Sequence, residues 1–408
     1  ISKLDSDGNF VWAKNLGGAS ADSGEGIAVQ NDGSLYLIGT FSDTVDFNLG
    51  TGTSTLTSAG SLDVFIARLD LTPQIHYVKW DATGTNDGSS WEDAYIDLQS
   101  ALAAASSGDE IWVAAGTYKP TAGTDRTISF VLKNGVAVYG GFAGTETANT
   151  QRNYVTNVTV LNADIGVEND NSDNSYHVVV GSNTDNSAIL DGFTVRGGNA
   201  DHDSYLSEQS KGGGMYNETG SPTLSNMIFK DNFATSGGGI ANRQSSPTLS
   251  NVTFTNNIAA SLGGGMHNES SSSPVLTSVT LDGNSAPNGG GMHNLESTPK
   301  LTGVIFLNNG GTSYGAGGGM TNNHSAPILV SVTFSENSAG EGGGMYNYYG
   351  NPTLTNVTFS GNIADSGGGM RNELSNPILT DVMFSANVAS SGSGMQNSHS
   401  NPVLTNVT

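Results

Sequence analysis

A four-residue signature, Gly-Gly-Gly-Met or Gly-Gly-Gly-Ile, recurs through the second half of the sequence and constrains its fold more than any other feature. Self-similarity at this period is typical of a solenoid whose repeats pack only on their neighbours. Each repeat also contains a Pro-x-Leu segment and a segment close to Val-x-Phe-x-x-Asn, which divide it into three short strands joined by turns. The sequence therefore predicts an all-β, right-handed parallel β-helix with eight regular coils of about 25 residues over 206–408. The third glycine of the signature lies at Gly214, Gly239, Gly265, Gly291, Gly319, Gly344, Gly369 and, in a Gly-Ser-Gly form, Gly394.

Three apolar columns are expected inside the coils, because alternate side chains of a strand share one face. At ~1.5–3 kcal/mol per buried large side chain, these columns would dominate the stability, and no single coil would fold alone. The first column follows the glycines: Met215, Ile240, Met266, Met292, Met320, Met345, Met370 and Met395. The second is Leu224, Leu249, Leu276, Leu301, Leu329, Leu354, Leu379 and Leu404. The third is Phe229, Phe254, Leu281, Phe306, Phe334, Phe359 and Phe384.

Two asparagine columns accompany the apolar ones. An amide carries both donors and an acceptor, so identical amides one rung apart can bond along the stack, and asparagine also tolerates left-handed turn conformations. We interpret both columns as structural ladders. The first is Asn217, Asn242, Asn268, Asn294, Asn322, Asn347, Asn372 and Asn397. The second is Asn232, Asn257, Asn284, Asn309, Asn337, Asn362 and Asn387.

Two irregular regions precede the coils. Residues 1–72 show short strand patterns separated by turns at Asp7-Gly8 and Asp32-Gly33, which predict a small antiparallel β segment. Residues 77–205 are expected to form irregular first coils with a short α-helical cap near 91–107. The signals for the cap are a capping box at Ser90-Trp-Glu-Asp93 and a stop at Gly108. Such a helix would shield the open end of the core and its strand edges.

The repeats resemble those of a known family. Gly-Gly-Gly-Met alternates with Phe-x-x-Asn, as in Phe229-Lys-Asp-Asn232 and Phe254-Thr-Asn-Asn257. This resembles the repeat of the chlamydial polymorphic outer-membrane proteins, whose motifs are Gly-Gly-Ala-Ile and Phe-x-x-Asn. The resemblance covers residues 212–397 and implies a surface-displayed β-helix with adhesive roles.

Two further resemblances concern the earlier regions. Gly88-Ser-Ser-Trp91, Tyr139-Gly-Gly-Phe-Ala-Gly-Thr-Glu146 and Asp191-Gly-Phe-Thr-Val195 are similar to the first coils of pectate-lyase-like β-helix proteins on bacterial surfaces. That similarity implies a fold and not an activity. Residues 1–72 resemble the blade repeats of bacterial β-propeller-type surface proteins, which implies a propeller-blade-like fragment.

Composition restricts the partners. The net charge of −23 repels phosphate backbones, so no nucleic-acid partner is expected. The chain has no Cys and no apolar run long enough for a transmembrane segment, and its first residues lack a signal peptide. We expect an internal piece of a longer, secreted or cell-surface bacterial protein, with the oligomeric state left open.

The position after each methionine is the most variable outward column. Aromatic and hydrogen-bonding side chains along a ribbon suit a polysaccharide or a surface protein, although a plain solvent face gives the same pattern. Two histidines of this column, one rung or ~4.8 Å apart, would need a third ligand to hold a metal. The column runs through Ala241, Thr321 and Gln396, and its ligand-face candidates are Tyr216, His267, His293, Tyr346 and Arg371.

The leading hypothesis is an extracellular, non-catalytic repeat module for adhesion, glycan or partner binding, or envelope structure, with no catalytic residue and no cofactor assigned. The alternative is a polysaccharide lyase or glycoside hydrolase with a site in 160–210. A minor alternative is an ice-binding solenoid, suggested by outward threonines interrupted at Ile228, Ile305 and Met383. Calcium is left open at Asp5-Ser-Asp-Gly-Asn9 and Glu168-Asn-Asp-Asn-Ser-Asp173. The residues behind the enzyme alternative are Asp164, Asp185, Asp191, Arg196, His202 and Asp203.

Overall fold

A computed structural model describes residues 1–4, 10–13, 15–29, 35–47, 54–69, 74–204 and 206–408 of the protein. The chain is all-β, and from Ile75 onward it forms a parallel β-solenoid of about 11 turns. The predicted fold class is therefore confirmed. The turns predicted at Asp7-Gly8 and Asp32-Gly33, and the acidic cluster at residues 5–9, lie outside the described residues.

The largest sheet described has 18 parallel strands. Successive coils add strands in register, so that Leu224 pairs with Leu249 and Phe229 with Phe254. Its strands are Ile75–Val78, Glu110–Ala114, Gly116–Tyr118, Ala137–Phe142, Thr159–Asn162, Ile189–Asp191, Phe193–Arg196, Thr223–Lys230, Thr248–Thr255, Val275–Thr277, Thr280–Asp282, Lys300–Thr302, Ile305–Leu307, Ile328–Val330, Thr333–Ser335, Thr353–Ser360, Ile378–Ser385 and Val403–Thr405.

A second sheet of ten parallel strands begins, in each regular coil, at the residue after the glycines. Its strands are Phe130–Val131, Val179–Val180, Met215–Glu218, Ile240–Arg243, Met266–Glu269, Met292–Leu295, Met320–Asn323, Met345–Tyr348, Met370–Glu373 and Met395–Ser398. Short parallel strands complete the coils at Asn199–Ala200, Phe233–Ser236, Ile258–Leu262, Ile363–Ser366 and Val388–Ser391.

The interior contains the three expected apolar columns except in the last coil, where Phe384 and Met395 are only partly buried and Leu404 is exposed. Met266, Leu276 and Phe334 are each fully buried, and neighbouring phenylalanine rings stack with centroids 4.6 Å apart at Phe306 and Phe334. A fourth buried column was not expected: Met227, Val252, Val279, Val304, Val332, Val357 and Val382.

The fourth column exists because the alternation of the strand is interrupted. Asn226 has a φ of 54°, in the left-handed region, and takes no part in the ladder pairing. Leu224 points inward before this corner and Met227 points inward after it, so that two inward residues lie three positions apart. A strict period of two places Met227 on the opposite face.

The asparagine columns form continuous hydrogen-bonded ladders. Asn217 Nδ2 donates to Asn242 Oδ1 at 2.8 Å, and Asn242 Nδ2 donates to Asn268 Oδ1 at the same distance. In the second column the side-chain oxygen of Asn257 accepts from both the backbone N–H and Nδ2 of Asn232. Each buried amide therefore satisfies its neighbour, which removes the penalty of burying a polar group.

One α-helix, Leu98–Ala104, lies within the range predicted for the cap. Its buried side chains Leu98, Ala101 and Leu102 belong to the main solenoid core. The helix begins later than the sequence suggested, because its N-cap is Asp97, whose side chain accepts from the backbone N–H of Ser100 at 2.8 Å. Three short 3-10 helices lie at Asn149–Gln151, Asn171–Asp173 and Glu208–Ser210.

The predicted capping box at residues 90–93 is therefore wrong. Ser90 and Asp93 do bond reciprocally at 3.1 Å, but no helix follows them. The carboxylate of Asp93 also accepts from Thr85 N at 2.8 Å, which closes a turn. Along the described part of the chain, no helix is long and apolar enough to span a membrane.

The N-terminal region has antiparallel strands. Its apolar cluster consists of Phe41, Val45 and Phe65 with Phe47 packed against them, and it is separate from the solenoid core. The strands are Ser23–Val29, Leu35–Phe41 and Asp63–Leu69 in one sheet, and the pairs Ser2–Leu4 with Phe10–Ala13 and Thr44–Asp46 with Thr55–Thr57.

Candidate functional site

The outward column after the methionines forms a buried to half-buried strip rather than an open face. Gly342 has a φ of 60°, and a Cβ built on it would lie 2.3 Å from the carbonyl oxygen of Met345. At this first glycine of the signature, the backbone lies so close to the strand that follows that only glycine fits. We name the strip the furrow; its members are Tyr216, Ala241, His267, His293, Thr321, Tyr346, Arg371 and Gln396.

The first part of the furrow is closed to solvent. Tyr216, His267 and His293 are only 3%, 1% and 4% exposed, whereas Ile228, in an outward column of the largest sheet, is 41% exposed. The expectation that these three candidates present a ligand face is therefore wrong. Tyr346 and Arg371 remain half-buried and accessible.

The two buried histidines contact each other. His267 Nδ1 and His293 Nδ1 are 3.2 Å apart. Burial, followed by the neighbouring His267 ring, lowers the pKa of His293 well below its ordinary value, so His293 is neutral. Among the described residues, no three His, Asp or Glu side chains come together as metal ligands. The pair is an imidazole–imidazole hydrogen bond.

An ion pair lies beside the histidines. Lys211 Nζ is 2.6 Å from Glu269 Oε1, and His267 Nε2 is 3.7 Å from Glu269 Oε2. Burial opposes ionisation of Glu269, but its interactions with His267 and Lys211 outweigh this and lower the pKa of Glu269 to about 2. The carboxylate is thus ionised and locally neutralised.

A carboxyl pair lies at the beginning of the furrow. Tyr216 Oη donates to Glu218 Oε2 at 3.0 Å, and Arg243 Nη1 donates to Glu218 Oε1 at 3.0 Å. Partial loss of solvent, together with the adjacent Glu218 carboxyl, raises the pKa of Glu208. His177 stacks on the Tyr216 ring with centroids 5.3 Å apart, and burial lowers the pKa of His177 to about 4.

An exposed aromatic group lies beside the accessible part of the furrow. Tyr349, 47% exposed, stacks on His324 of the preceding coil with ring centroids 5.0 Å apart. Tyr348 meets Tyr349 edge-on at 4.7 Å and shares the outward face of its strand with Tyr346. We name His324, Tyr346, Tyr348 and Tyr349 the tyrosine patch. Sequence reasoning selected only Tyr346 from it, although the 25-residue step from His324 to Tyr349 predicts that stack.

Arg371 borders the tyrosine patch one rung beyond Tyr346. Its Nη1 lies 3.2 Å from Glu341 Oε1, and its Nη2 lies 3.4 Å from Glu373 Oε2. Tyr346 Oη donates to Glu373 Oε2 at 3.0 Å. Burial first, and Glu373 second, raise the pKa of Tyr346, so the phenol keeps its proton. Hydroxyls, carboxylates and aromatic faces therefore adjoin on one accessible surface.

Comparison with solved structures finds the same architecture in a pectate lyase. A pectate lyase, Pel9A, superposes with a TM-score of 0.50 at 14% identity, over 81% of this chain and 78% of that enzyme. The fold is pectate-lyase-like. Two further chains match at lower TM-scores. A rhamnogalacturonan lyase gives 0.36 at 9% identity over 82% and 87% of the chains, and the family 28 exopolygalacturonase of Yersinia enterocolitica gives 0.32 at 14% over 90% and 83%.

At these identities the likeness extends to the fold alone. No protein-family model matches the sequence, and no curated protein matches it. The resemblance to chlamydial repeats and the resemblance of residues 1–72 to a propeller blade have no support in these comparisons. What is shown is a pectate-lyase-like parallel β-helix with a small antiparallel sheet in its N-terminal region.

The pectate-lyase-like solenoid does not bring the acidic residues of 160–210 into one site. Asp191 pairs with Arg152 at 2.8 Å and accepts from Asn226. Asp185 caps a turn through the backbone N–H of Ser187. The remaining members are dispersed: Asp164 accepts from the Asn169 backbone, His202 meets Tyr176 edge-on, Arg196 is exposed at the end of its strand and Asp203 lies on an exposed loop.

An open hollow of about 680 Å³ lies near these residues rather than at the furrow. Of its two acidic members, Asp201 and Asp231, Asp201 is engaged by Arg126 at 2.7 Å. Neither the carboxyl pair of Glu208 and Glu218 nor the tyrosine patch lines it. The hollow therefore does not contain either group of candidate functional side chains. The hollow is lined by Asn171, Asn199, Asp201, Asp231, Asn232, Phe233, Asn256 and Ile258.

The threonine column considered for ice binding is in register but irregular. Thr253 pairs with Ile228 on one side and Thr280 on the other, and Ile305 follows Thr280. The interruptions predicted from the sequence thus occur within the column itself, and the rows of threonine hydroxyls are broken.

Proposed function

We propose that this chain is an extracellular or surface-displayed, non-catalytic solenoid module that binds a polysaccharide through the tyrosine patch, in adhesion or envelope structure. The observation that carries the proposal is the exposed stack of His324 on Tyr349 with Tyr348 against it. Aromatic rings offer a large apolar face at low entropic cost, and their polar ends remain available for hydrogen bonds.

The surroundings of the tyrosine patch support the same ligand class. A sugar ring presents apolar C–H faces and a rim of hydroxyl groups, and both have partners here. The Tyr348 and Tyr349 rings supply apolar contact, while Glu341 and Glu373 supply acceptors beside Arg371. The strands Met345–Tyr348 and Met370–Glu373, which carry Tyr348 and Glu373, are held by ladder hydrogen bonds on both sides, so this part of the site is preorganised.

The proposal is tested by binding of soluble polysaccharides to the whole chain, measured by calorimetry. The double variant Tyr348→Ala/Tyr349→Ala is expected to weaken binding about tenfold or more, because two aromatic rings of the patch are lost. Tyr36→Ala is the matched control, since Tyr36 is a partly exposed tyrosine of the N-terminal sheet. Equal affinity of the double variant and the control would contradict the proposal.

A carbohydrate-active enzyme is the second candidate, and the carboxyl pair favours it. Glu208, whose pKa is raised, and Glu218 form a pair of carboxyl groups beside Tyr216 and Arg243. Glycosidases hold their two carboxyl groups about 5–10 Å apart, whereas these two are hydrogen-bonded to each other, which is the weakness of this candidate. Release of reducing ends or unsaturated products that is lost in Glu218→Gln would favour the enzyme.

A further inference from the structure

We infer that the polysaccharide bound at the tyrosine patch is an uncharged one, and not a polyuronate; this inference rests on the proposed function. It starts from the charges around Arg371, the cation nearest to the patch along the furrow. Arg371 is shared between Glu341 and Glu373, so this group carries one positive and two negative charges. A sugar carboxylate arriving here meets a net negative site.

The guanidinium is also occupied geometrically. Nη1 faces Glu341 and Nη2 faces Glu373, so the two-pronged side that binds carboxylates is already engaged. The remaining nitrogen, Nε, is buried without a partner. Arg371 therefore orients the two carboxylates and offers no free fork to a ligand.

The two cations beside the furrow, Lys211 and Arg243, are engaged in the same way. Lys211 is bound to Glu269 at 2.6 Å, and Arg243 to Glu218 at 3.0 Å. Among the described residues in and beside the furrow, Lys211, Arg243 and Arg371 are thus each paired with at least one carboxylate. With the whole chain at −23, the field over the solenoid opposes polyanions.

The same carboxylates suit a neutral sugar. Glu341 and Glu373 keep 40% and 31% of their side-chain surface exposed. An ionised carboxylate only accepts hydrogen bonds, and a neutral sugar offers many hydroxyl donors, whereas a uronate replaces one of these groups with a further acceptor. Donor–acceptor matching and charge therefore favour the same ligand class.

The test uses two polymers that share one backbone. Calorimetric titration of the whole chain compares polygalacturonate with its carboxyl-reduced, neutral form, in low and high salt and with calcium or a chelator. We expect the neutral polymer to bind at least tenfold more tightly in low salt. High salt should leave that affinity unchanged and weaken the discrimination, because salt screens repulsion between exposed charges.

Opposite outcomes separate the two ideas. Tighter binding of polygalacturonate, with or without calcium, that is lost in Tyr348→Ala/Tyr349→Ala would overturn the uncharged ligand and leave the proposed function standing. If neither these two polymers nor a broader set of neutral polysaccharides binds, both fail.

A substitution tests the charge argument directly. Glu341→Gln removes one negative charge and frees Arg371 Nη1, while the patch tyrosines are untouched. We expect it to raise affinity for polygalacturonate roughly fivefold and to change affinity for the neutral form little. Asp365→Asn, one coil away on an exposed position, is the matched control. An unchanged preference in Glu341→Gln would contradict the inference.

Discussion

His267 and His293 contact each other through their Nδ1 atoms at 3.2 Å, one rung apart in the furrow. Only one proton fits between two such nitrogens, so one ring donates and the other accepts. Both side chains are almost fully buried. Glu269, which lies beside His267, is already paired with Lys211. A second proton on the pair would place two imidazolium charges in contact without solvent.

The buried histidines, His177 as well as this pair, predict that the solenoid loses stability in mild acid. The pKa of His177 is lowered to about 4, so it binds protons more readily when unfolded. Stability is fully present above the unfolded value of about 6.5 and is lost as pH falls towards 4, by about 3 kcal/mol for this residue alone. His293, whose pKa is lowered by burial, acts in the same direction. Urea unfolding at pH 7.5 and pH 5 measures the effect.

Substitution separates the contribution of the buried histidines to the pH dependence from that of other titrating groups. His267→Thr/His293→Thr, which copies the Thr321 position of the same column, should weaken the dependence of the unfolding free energy on pH without abolishing it, because His177 remains. His399→Thr, an exposed histidine, should leave it unchanged. A wild-type unfolding free energy that is equal at pH 7.5 and pH 5 would refute the prediction.

The asparagine ladder predicts a large difference between two adjacent residues. Asn322 is fully buried, donates to Asn347 at 2.8 Å and accepts from Asn294 at 2.9 Å. Asn322→Ala should lower the free energy of unfolding by about 2–5 kcal/mol, because it leaves two buried partners unsatisfied. Asn323→Ala, on the opposite face of the same strand, should change it by roughly 0.5 kcal/mol or less. Similar losses in chemical denaturation would mean that the ladder is not stabilising.

Two glycines with the same backbone conformation should respond differently to alanine. Gly342 and Gly303 have φ values of 60° and 61°, but a Cβ on Gly342 meets the Met345 carbonyl at 2.3 Å whereas one on Gly303 meets nothing within 4 Å. Gly303→Ala should cost about 1–2 kcal/mol of unfolding free energy, the left-handed penalty alone. Gly342→Ala should cost at least ~2 kcal/mol more, through the clash. Equal losses in thermal unfolding would show that the backbone around Met345 moves to accommodate the added methyl group.

Much of the fold could be predicted because each coil repeats the same local chemistry. The columns of Met215, Leu224 and Phe229 follow from a strand period of two and a repeat near 25 residues. The column of Met227 could not be read this way, because the left-handed Asn226 shifts the inward face by one residue. A corner made by a single residue leaves the composition of the strand unchanged, so the sequence gives no separate signal for it.

The candidate site was harder to predict, since exposure depends on the side chains contributed by neighbouring coils. Tyr216 and Tyr346 occupy the same repeat position, yet one is closed to solvent and the other is accessible. What differs is the side chains of neighbouring rungs, such as His177 over Tyr216. The stack of His324 and Tyr349 follows from the repeat alone once turn positions are aligned as well as strand positions.

Affinity electrophoresis tests the central claim most directly. The whole chain, Tyr348→Ala/Tyr349→Ala and Tyr36→Ala are run in native gels containing a neutral polysaccharide, and the polymer length is measured afterwards. The account predicts that the wild type and Tyr36→Ala are retarded, that the double variant migrates as in a polymer-free gel, and that the polymer is not shortened. Equal retardation of the double variant, or a shortened polymer, would contradict a non-catalytic binding site at the tyrosine patch.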